Sequence, residues 1–135
     1  MKITSKGRYG LKAMMELYRS DGRLKNREIA EKHKIPVKYL EQIISTLKKN
    51  NLVISSRGSE GGYRLSKAGG DITIHEILEA LEGDLSIVDK SDMRDRGMGL
   101  FWMEIDRQIQ KILEISLEDF VKNLDKHPED LMYYI

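Results

Sequence analysis

Cysteine is absent from all 135 residues, which removes disulfides, thiol catalysis and thiolate-held metal or iron-sulfur sites in one step. The same absence agrees with a reducing compartment. Histidine is nearly absent too, and His33, His75 and His127 stand too far apart in sequence to suggest a metal site. No window approaches eighteen unbroken apolar residues, and the opening "MKITSKGRYG" lacks the apolar stretch of a signal peptide, so a cytoplasmic protein is expected. No nucleophile with a neighbouring base and no phosphate loop with its lysine can be found, so an enzyme is not expected. What remains is 40% apolar and 33% charged, a composition suited to one compact core.

A net charge of +1 hides a strong division. Residues 1 to 67 carry 16 Lys and Arg against 6 Asp and Glu, and residues 68 to 135 carry 7 against 16. A basic half is an electrostatic footprint for a polyanion, and the acidic half is left to solvent or to a different partner. Two solvated faces with no partner would carry the same charges, so motifs must decide.

Thr4 or Ser5 can cap a first helix running to about Arg19, with Leu11, Met14, Met15 and Tyr18 at helical spacing and "SDG" ending it. Asn26 suits the cap of a short second helix, "REIAEKH", whose Ile29 and Ala30 face inward. Pro36 suits the first turn of a third, in which Val37, Leu40, Ile44 and Leu47 form one apolar stripe and Asn50 or Asn51 ends the helix. The opposite face holds Lys38, Tyr39, Glu41, Gln42, Ser45, Lys48 and Lys49. Two short helices joined by "HKIP" are the pattern of a helix-turn-helix, whose later helix enters a major groove, although many helical hairpins show such a face only to water.

The next stretch separates these readings. "LVISS" and "GYRLS" read as two strands, and between them "SSRGSEGGYRLS" places three glycines and two arginines at a hairpin tip. Three helices followed by a hairpin make a winged helix. Gly58, Gly61 and Gly62 let the tip bend, while Arg57 and Arg64 supply charge for a minor groove or a phosphate ridge. The fold class expected is mainly α with one small β-hairpin.

Thr73 with Glu76 three residues on marks a capping box, and Ile74, Ile77, Leu78 and Leu81 give a packing helix up to Gly83. His75 lies on its polar side as an ordinary surface residue. Residues 84 to 99, "DLSIVDKSDMRDRGMG", lack periodicity and read as a long loop. From Leu100, "LFWMEIDRQIQKILEI" sets Trp102, Ile105, Ile109, Ile112 and Leu113 on a wide helical face, open either to a partner helix across a two-fold axis or to packing within one chain. Ser116 caps a last helix, "LEDFVKNL", before the closing "LMYYI". The organisation expected is therefore a DNA-binding unit over 1–83, a loop over 84–99, and a dimerisation helix with its tail over 100–135.

In order and spacing, "MKITSKGRYGLKAM", "IAEKHKIPVKYLEQIISTLKKNNLV", "SSRGSEGGYRLS" and "ITIHEILEALEG" resemble the Rrf2 family of bacterial winged-helix transcription regulators. The resemblance spans residues 1 to 83 by specific motifs and the rest more loosely. It implies a homodimer on a partly palindromic operator, with the long helix at the dimer interface. It also implies that Thr4, Ser5, Lys6, Arg8 and Tyr9 anchor phosphates, that Lys38, Tyr39, Glu41 and Gln42 lie in the major groove, and that Arg57, Gly58 and Ser59 form the wing contact. The chemistry agrees: Gln42 can pair bidentately with adenine, Glu41 can accept from a cytosine amino group, and Arg57 suits a narrow minor groove.

Several family members sense through a cluster held by three cysteines in the loop corresponding to residues 84–99, and this chain has none. No cofactor of that type is expected. The openings "MKI" and "SKGRYGL" and the closing "MYYI" look most like the cysteine-free branch that represses cysteine metabolism. That likeness implies complex formation with cysteine synthase, with Tyr134 and Ile135 as the docking tail; the same two residues would serve equally well packed on the last helix. A winged helix used only for protein contact, and a family regulator that senses a metabolite directly, remain as alternatives.

Overall fold

The computed structural model describes residues 1–20, 23–56 and 61–126. Six helices and one two-stranded antiparallel hairpin make the architecture among these residues: α1 (Ser5–Ser20), α2 (Asn26–His33), α3 (Val37–Lys49), β1 (Val53–Ser56), β2 (Gly62–Leu65), α4 (Ile74–Glu82), α5 (Arg96–Leu113) and α6 (Leu117–Lys126). Short 3-10 turns at Gly69–Asp71 and Lys90–Arg94 precede α4 and α5. The winged-helix class read from the sequence is the one found.

The core forms where the apolar faces of α1, α3 and α4 meet, with Met14, Leu40, Ile43, Ile44, Leu47 and Ile77 fully enclosed. Each fully buried Leu or Ile side chain contributes roughly 1.5–3 kcal/mol over an exposed one, so α3 is held mainly by its inner stripe. That stripe is Leu40, Ile43, Ile44 and Leu47; Val37, expected within it, is 42% exposed at the start of the helix, where the turn after α2 leaves nothing to cover it. α2 also begins one residue earlier than its sequence suggests. Lys25 is the cap, its amide donating to Glu28 at 3.3 Å, so Asn26 falls inside the first turn.

The turn between α2 and α3 depends on Lys34, whose φ of 55° closes the end of α2 in the left-handed region. A non-glycine residue there carries a modest strain, offset by sinking Ile35 into the core and starting α3 directly after Pro36, the cap residue, whose carbonyl accepts from Leu40 at 2.9 Å. Asn51, with φ of 60°, performs the corresponding stop after α3, as expected of an asparagine.

The hairpin is anchored on both sides. β1 and β2 pair from Val53 opposite Leu65 to Ser56 opposite Gly62, and Leu24, in the link between α1 and α2, adds a bridge to Tyr63. A Cβ at Gly62 would stand 2.8 Å from the Leu24 carbonyl oxygen, so this glycine serves the close approach of a third extended segment.

Beyond α4 the chain is more ordered than its composition suggests. Thr73 caps α4 by accepting from the Glu76 amide at 3.0 Å. The amide of Ile87 donates to Asp106 at 2.9 Å and Gln110 donates to the Leu85 carbonyl at 3.1 Å, tying residues 85–87 to α5. The loop expected over 84–99 therefore shrinks: Lys90–Arg94 forms a 3-10 turn, and Asp95 caps α5 from Arg96, four residues before the expected start at Leu100. Two glycines in the first turn of α5 hide its periodicity. Gly99 is required there, because a Cβ would stand 2.6 Å from the Asp92 carbonyl oxygen.

α6 returns to the core. Leu117 and Val121 are fully buried, the Leu117 amide donates to Ile72 at 2.8 Å, and Ser116 caps the helix through the Asp119 amide. Among the described residues no helix is long and apolar enough to cross a membrane.

Candidate nucleic-acid interface

The inner stripe of α3 turns Lys38, Glu41, Gln42 and Ser45 outward, at positions i, i+3, i+4 and i+7, and all four are exposed. A donor, an acceptor, an amide and a hydroxyl on one helical ridge are the groups that read base edges in a major groove. Lys48 and Lys49 continue this face, and the Lys48 ammonium donates to the Ser55 hydroxyl at 2.9 Å, joining the end of the helix to the first wing strand.

Tyr39, which the resemblance puts in the groove, is half-buried. Its ring meets that of Tyr9 edge-on, with centroids 5.9 Å apart, and its hydroxyl lies 3.3 Å from the Ser5 hydroxyl. It joins α3 to the start of α1. Tyr9 in turn carries the Lys12 ammonium 6.0 Å from its ring centre.

The first turn of α1 stands beside α3 through these contacts. Arg8 is exposed and Lys6 partly so, and both are available to a phosphate backbone running alongside the groove. Thr4 is placed differently: its amide and hydroxyl both donate to the Glu82 carboxylate, at 3.0 and 2.7 Å, so its polar groups are already engaged within the protein. Ser55 and Arg64 are both exposed on the wing strands, but on opposite faces of the hairpin, since the pairing sets Arg64 opposite Ile54 and Ser55 opposite Tyr63. Arg57, Gly58 and Ser59, the expected wing contact, lie outside the described residues, as do Tyr134 and Ile135.

On α5, only Gly99 is buried among 18 residues. Trp102, Ile105 and Ile109 are half-buried and Ile112 is 38% exposed, while Met98, Leu100, Phe101 and Met103 are 45–57% exposed. The chain by itself therefore leaves an apolar helix largely uncovered. Between α5 and residues 86–93 lies an open cleft of about 730 Å³, lined by Ser86, Val88, Met93, Asp106, Arg107 and Gln110 among others. Residues 84–99 offer hydroxyl, carboxylate and thioether side chains and no thiolate, a donor set that does not match an iron-sulfur cluster held by cysteines.

A cluster that sequence reasoning missed lies beneath the helix-turn-helix. Glu16, 5% exposed, meets Arg19 and Lys32 at 3.0 Å each and His33 at 3.1 Å, and Arg19 also pairs with Asp125 on α6. Burial pushes the Glu16 carboxyl up, but the hydrogen bonds and charges of Lys32, His33 and Arg19 outweigh it and hold the group below the ordinary carboxylate range. Only its position on the inner face of an amphipathic helix could have signalled this. In a chain one-third charged, that is a weak signal.

Comparison with known proteins agrees with this geometry. The Rrf2 family, described as an iron-dependent transcriptional regulator, matches residues 3–123. The HTH-type transcriptional regulator CymR of Bacillus subtilis is 36% identical, with all of both chains covered. IscR of Xenorhabdus nematophila is also 36% identical, over 91% of this chain and 80% of its own. Among solved structures, CymR, the global cysteine regulator of B. subtilis, superposes with a TM-score of 0.85 at 34% identity, over 90% of this chain and 97% of that one. IscR of T. potens gives 0.76 at 32%, over 99% and 97%. With the winged-helix fold, the exposed ridge of α3 and full-length similarity in agreement, the chain belongs to the Rrf2 family of DNA-binding transcription regulators.

Proposed function

We propose that this protein acts as a homodimeric repressor on a partly palindromic operator, each protomer laying α3 in a major groove, the first turn of α1 on phosphates and the hairpin tip against the adjacent backbone or minor groove. The observation that carries the dimer is α5, an amphipathic helix with almost nothing buried in its own protomer. Pairing two such helices across a two-fold axis would cover Ile105, Ile109 and Ile112 and give two recognition helices the symmetry of inverted half-sites. Polarised charge supports the orientation, because the basic half faces DNA and the acidic half stays away from it.

The test separates phosphate contacts from base readout. Titrating the protein onto its own operator at several salt concentrations should show steep weakening with salt, and Lys6→Ala should reduce that slope by about 1. Gln42→Ala should leave the slope intact while costing roughly 1–3 kcal/mol on the operator and relaxing preference at one base pair. Equal binding to operator and scrambled duplex would instead favour a winged helix used for protein contact.

For the signal, likeness to the global cysteine regulator of B. subtilis supports control of cysteine metabolism through a complex with cysteine synthase, docked by the segment that includes Tyr134 and Ile135. Deleting those two residues should abolish synthase binding in a pull-down and leave operator affinity unchanged; retained binding would reject the docking site. The cleft along α5 favours a second reading, direct sensing of a small polar metabolite. Under either reading the lack of thiolates makes regulation independent of an iron-sulfur cluster.

A further inference from the structure

The first amides of a helix have no intrahelical acceptor, so a helix amino terminus beside DNA ordinarily offers backbone donors to a phosphate. In α1 two of these donors are already taken. Oε1 of Glu82, on α4, accepts from the Thr4 amide at 3.0 Å, the Thr4 hydroxyl at 2.7 Å and the Gly7 amide at 2.9 Å. Thr4 precedes the helix and Gly7 is its third residue, the two positions whose amides a capping box satisfies from within one turn. Here one carboxylate from 78 and 75 residues away along the chain does both.

The surrounding packing is shaped to admit that carboxylate. A Cβ at Gly7 would stand 2.3 Å from Oε1, and one at Gly10 would stand 2.1 Å from Leu81 Cδ1 and 3.3 Å from Ile43 Cγ2. Gly7 and Gly10, one turn apart, therefore let α1 lie directly on the end of α4. The same turn carries Lys6 and Arg8, and its Ser5 hydroxyl lies beside that of Tyr39 on α3.

We propose that Glu82 is a positioning residue for DNA binding: it fixes the first turn of α1 so that Lys6 and Arg8 reach phosphates by their side chains, while the Thr4 and Gly7 amides stay engaged inside the protein. This rests on the reading that the first turn of α1 lies on the DNA backbone. Electrostatics alone predicts the opposite response to removing Glu82, since loss of an anion beside the basic first turn of α1 favours association with a polyanion. A positioning role makes removal weaken binding.

The experiment uses the full chain and a duplex operator selected by the wild-type protein, at a temperature where circular dichroism shows every variant folded. Glu82→Ala should bind roughly tenfold more weakly, a loss of about 1.4 kcal/mol, with faster hydrogen exchange at the Gly7 amide. Glu82→Gln, which keeps an acceptor oxygen at the same reach, should restore affinity to within about threefold of wild type. Glu82→Ala binding as tightly as wild type, or Glu82→Gln as weak as Glu82→Ala, overturns the proposal. If Lys6→Ala and Arg8→Ala leave the salt slope unchanged, α1 is not on the DNA and the underlying reading falls as well; a reduced slope with an unaffected Glu82→Ala defeats this proposal alone.

Discussion

Ile105→Asp is expected to yield a folded monomer that binds operator on the order of a hundredfold more weakly than wild type, or worse. The apolar residues of α5 from Met98 to Ile112 are all partly or largely exposed, and the helix's only buried residue is Gly99. A carboxylate at 105 would be desolvated in any helix pair without a partner, and a buried unpaired charge is among the few single changes that abolish association. Within the protomer the cost is small, because Ile105 is only half-buried. Losing the second protomer removes the gain from engaging two half-sites at once, worth about 10²–10⁴ in affinity. Sedimentation reads the oligomeric state and an operator titration reads the affinity, with Ile112→Asp as a second, more exposed variant. A dimer that persists at micromolar concentration in both variants would place the interface elsewhere.

Glu16→Ala is expected to destabilise the fold by roughly 2–3 kcal/mol, lowering the melting temperature by on the order of 10 °C. The carboxylate is 5% exposed and is the shared acceptor for Arg19 on α1 and for Lys32 and His33 on α2, so its loss leaves three bases facing one another. Asp125 on α6 still pairs with Arg19, while Lys32 and His33 lose their shared acceptor. The pH dependence has a definite sign. Because the folded protein holds the Glu16 carboxyl below its unfolded value, the contribution is fully present above the ordinary carboxylate range and disappears as pH falls through the depressed value. The stability difference between wild type and Glu16→Gln, measured by denaturant titration, should therefore be constant near neutrality and shrink below about pH 4. A difference that grows on acidification would contradict the assigned role. Since the cluster spans α1, α2 and α6, the same variant should loosen the packing of the helix-turn-helix on its scaffold.

The parts of the fold that were legible from sequence are those whose signals are local. The α3 stripe, the Asn51 stop, the Thr73 cap and the glycine-bearing hairpin each depend on residues within one or two turns of each other, and periodicity and caps report such relations directly. Even there, competition between neighbours moved details. Lys25 took the cap that Asn26 was suited for, and Val37 lost its place in the stripe to Ile43. The exposed ridge of Lys38, Glu41, Gln42 and Ser45 was readable because an inner stripe defines its own opposite face.

The chain's order of elements, its polarised charge, its family and the outward residues of α3 were thus determined by the sequence itself, because each follows from short-range pattern or composition. Tertiary structure alone decided the rest. It drew Tyr39 back toward Tyr9 and Ser5, set Glu16 among three bases, brought Glu82 to the first turn of α1 across the glycines at 7 and 10, and left α5 uncovered along most of its length. These are contacts between residues far apart along the chain, and no local period encodes which carboxylate will meet which helix end. Only the packing of the core brings them within hydrogen-bonding distance.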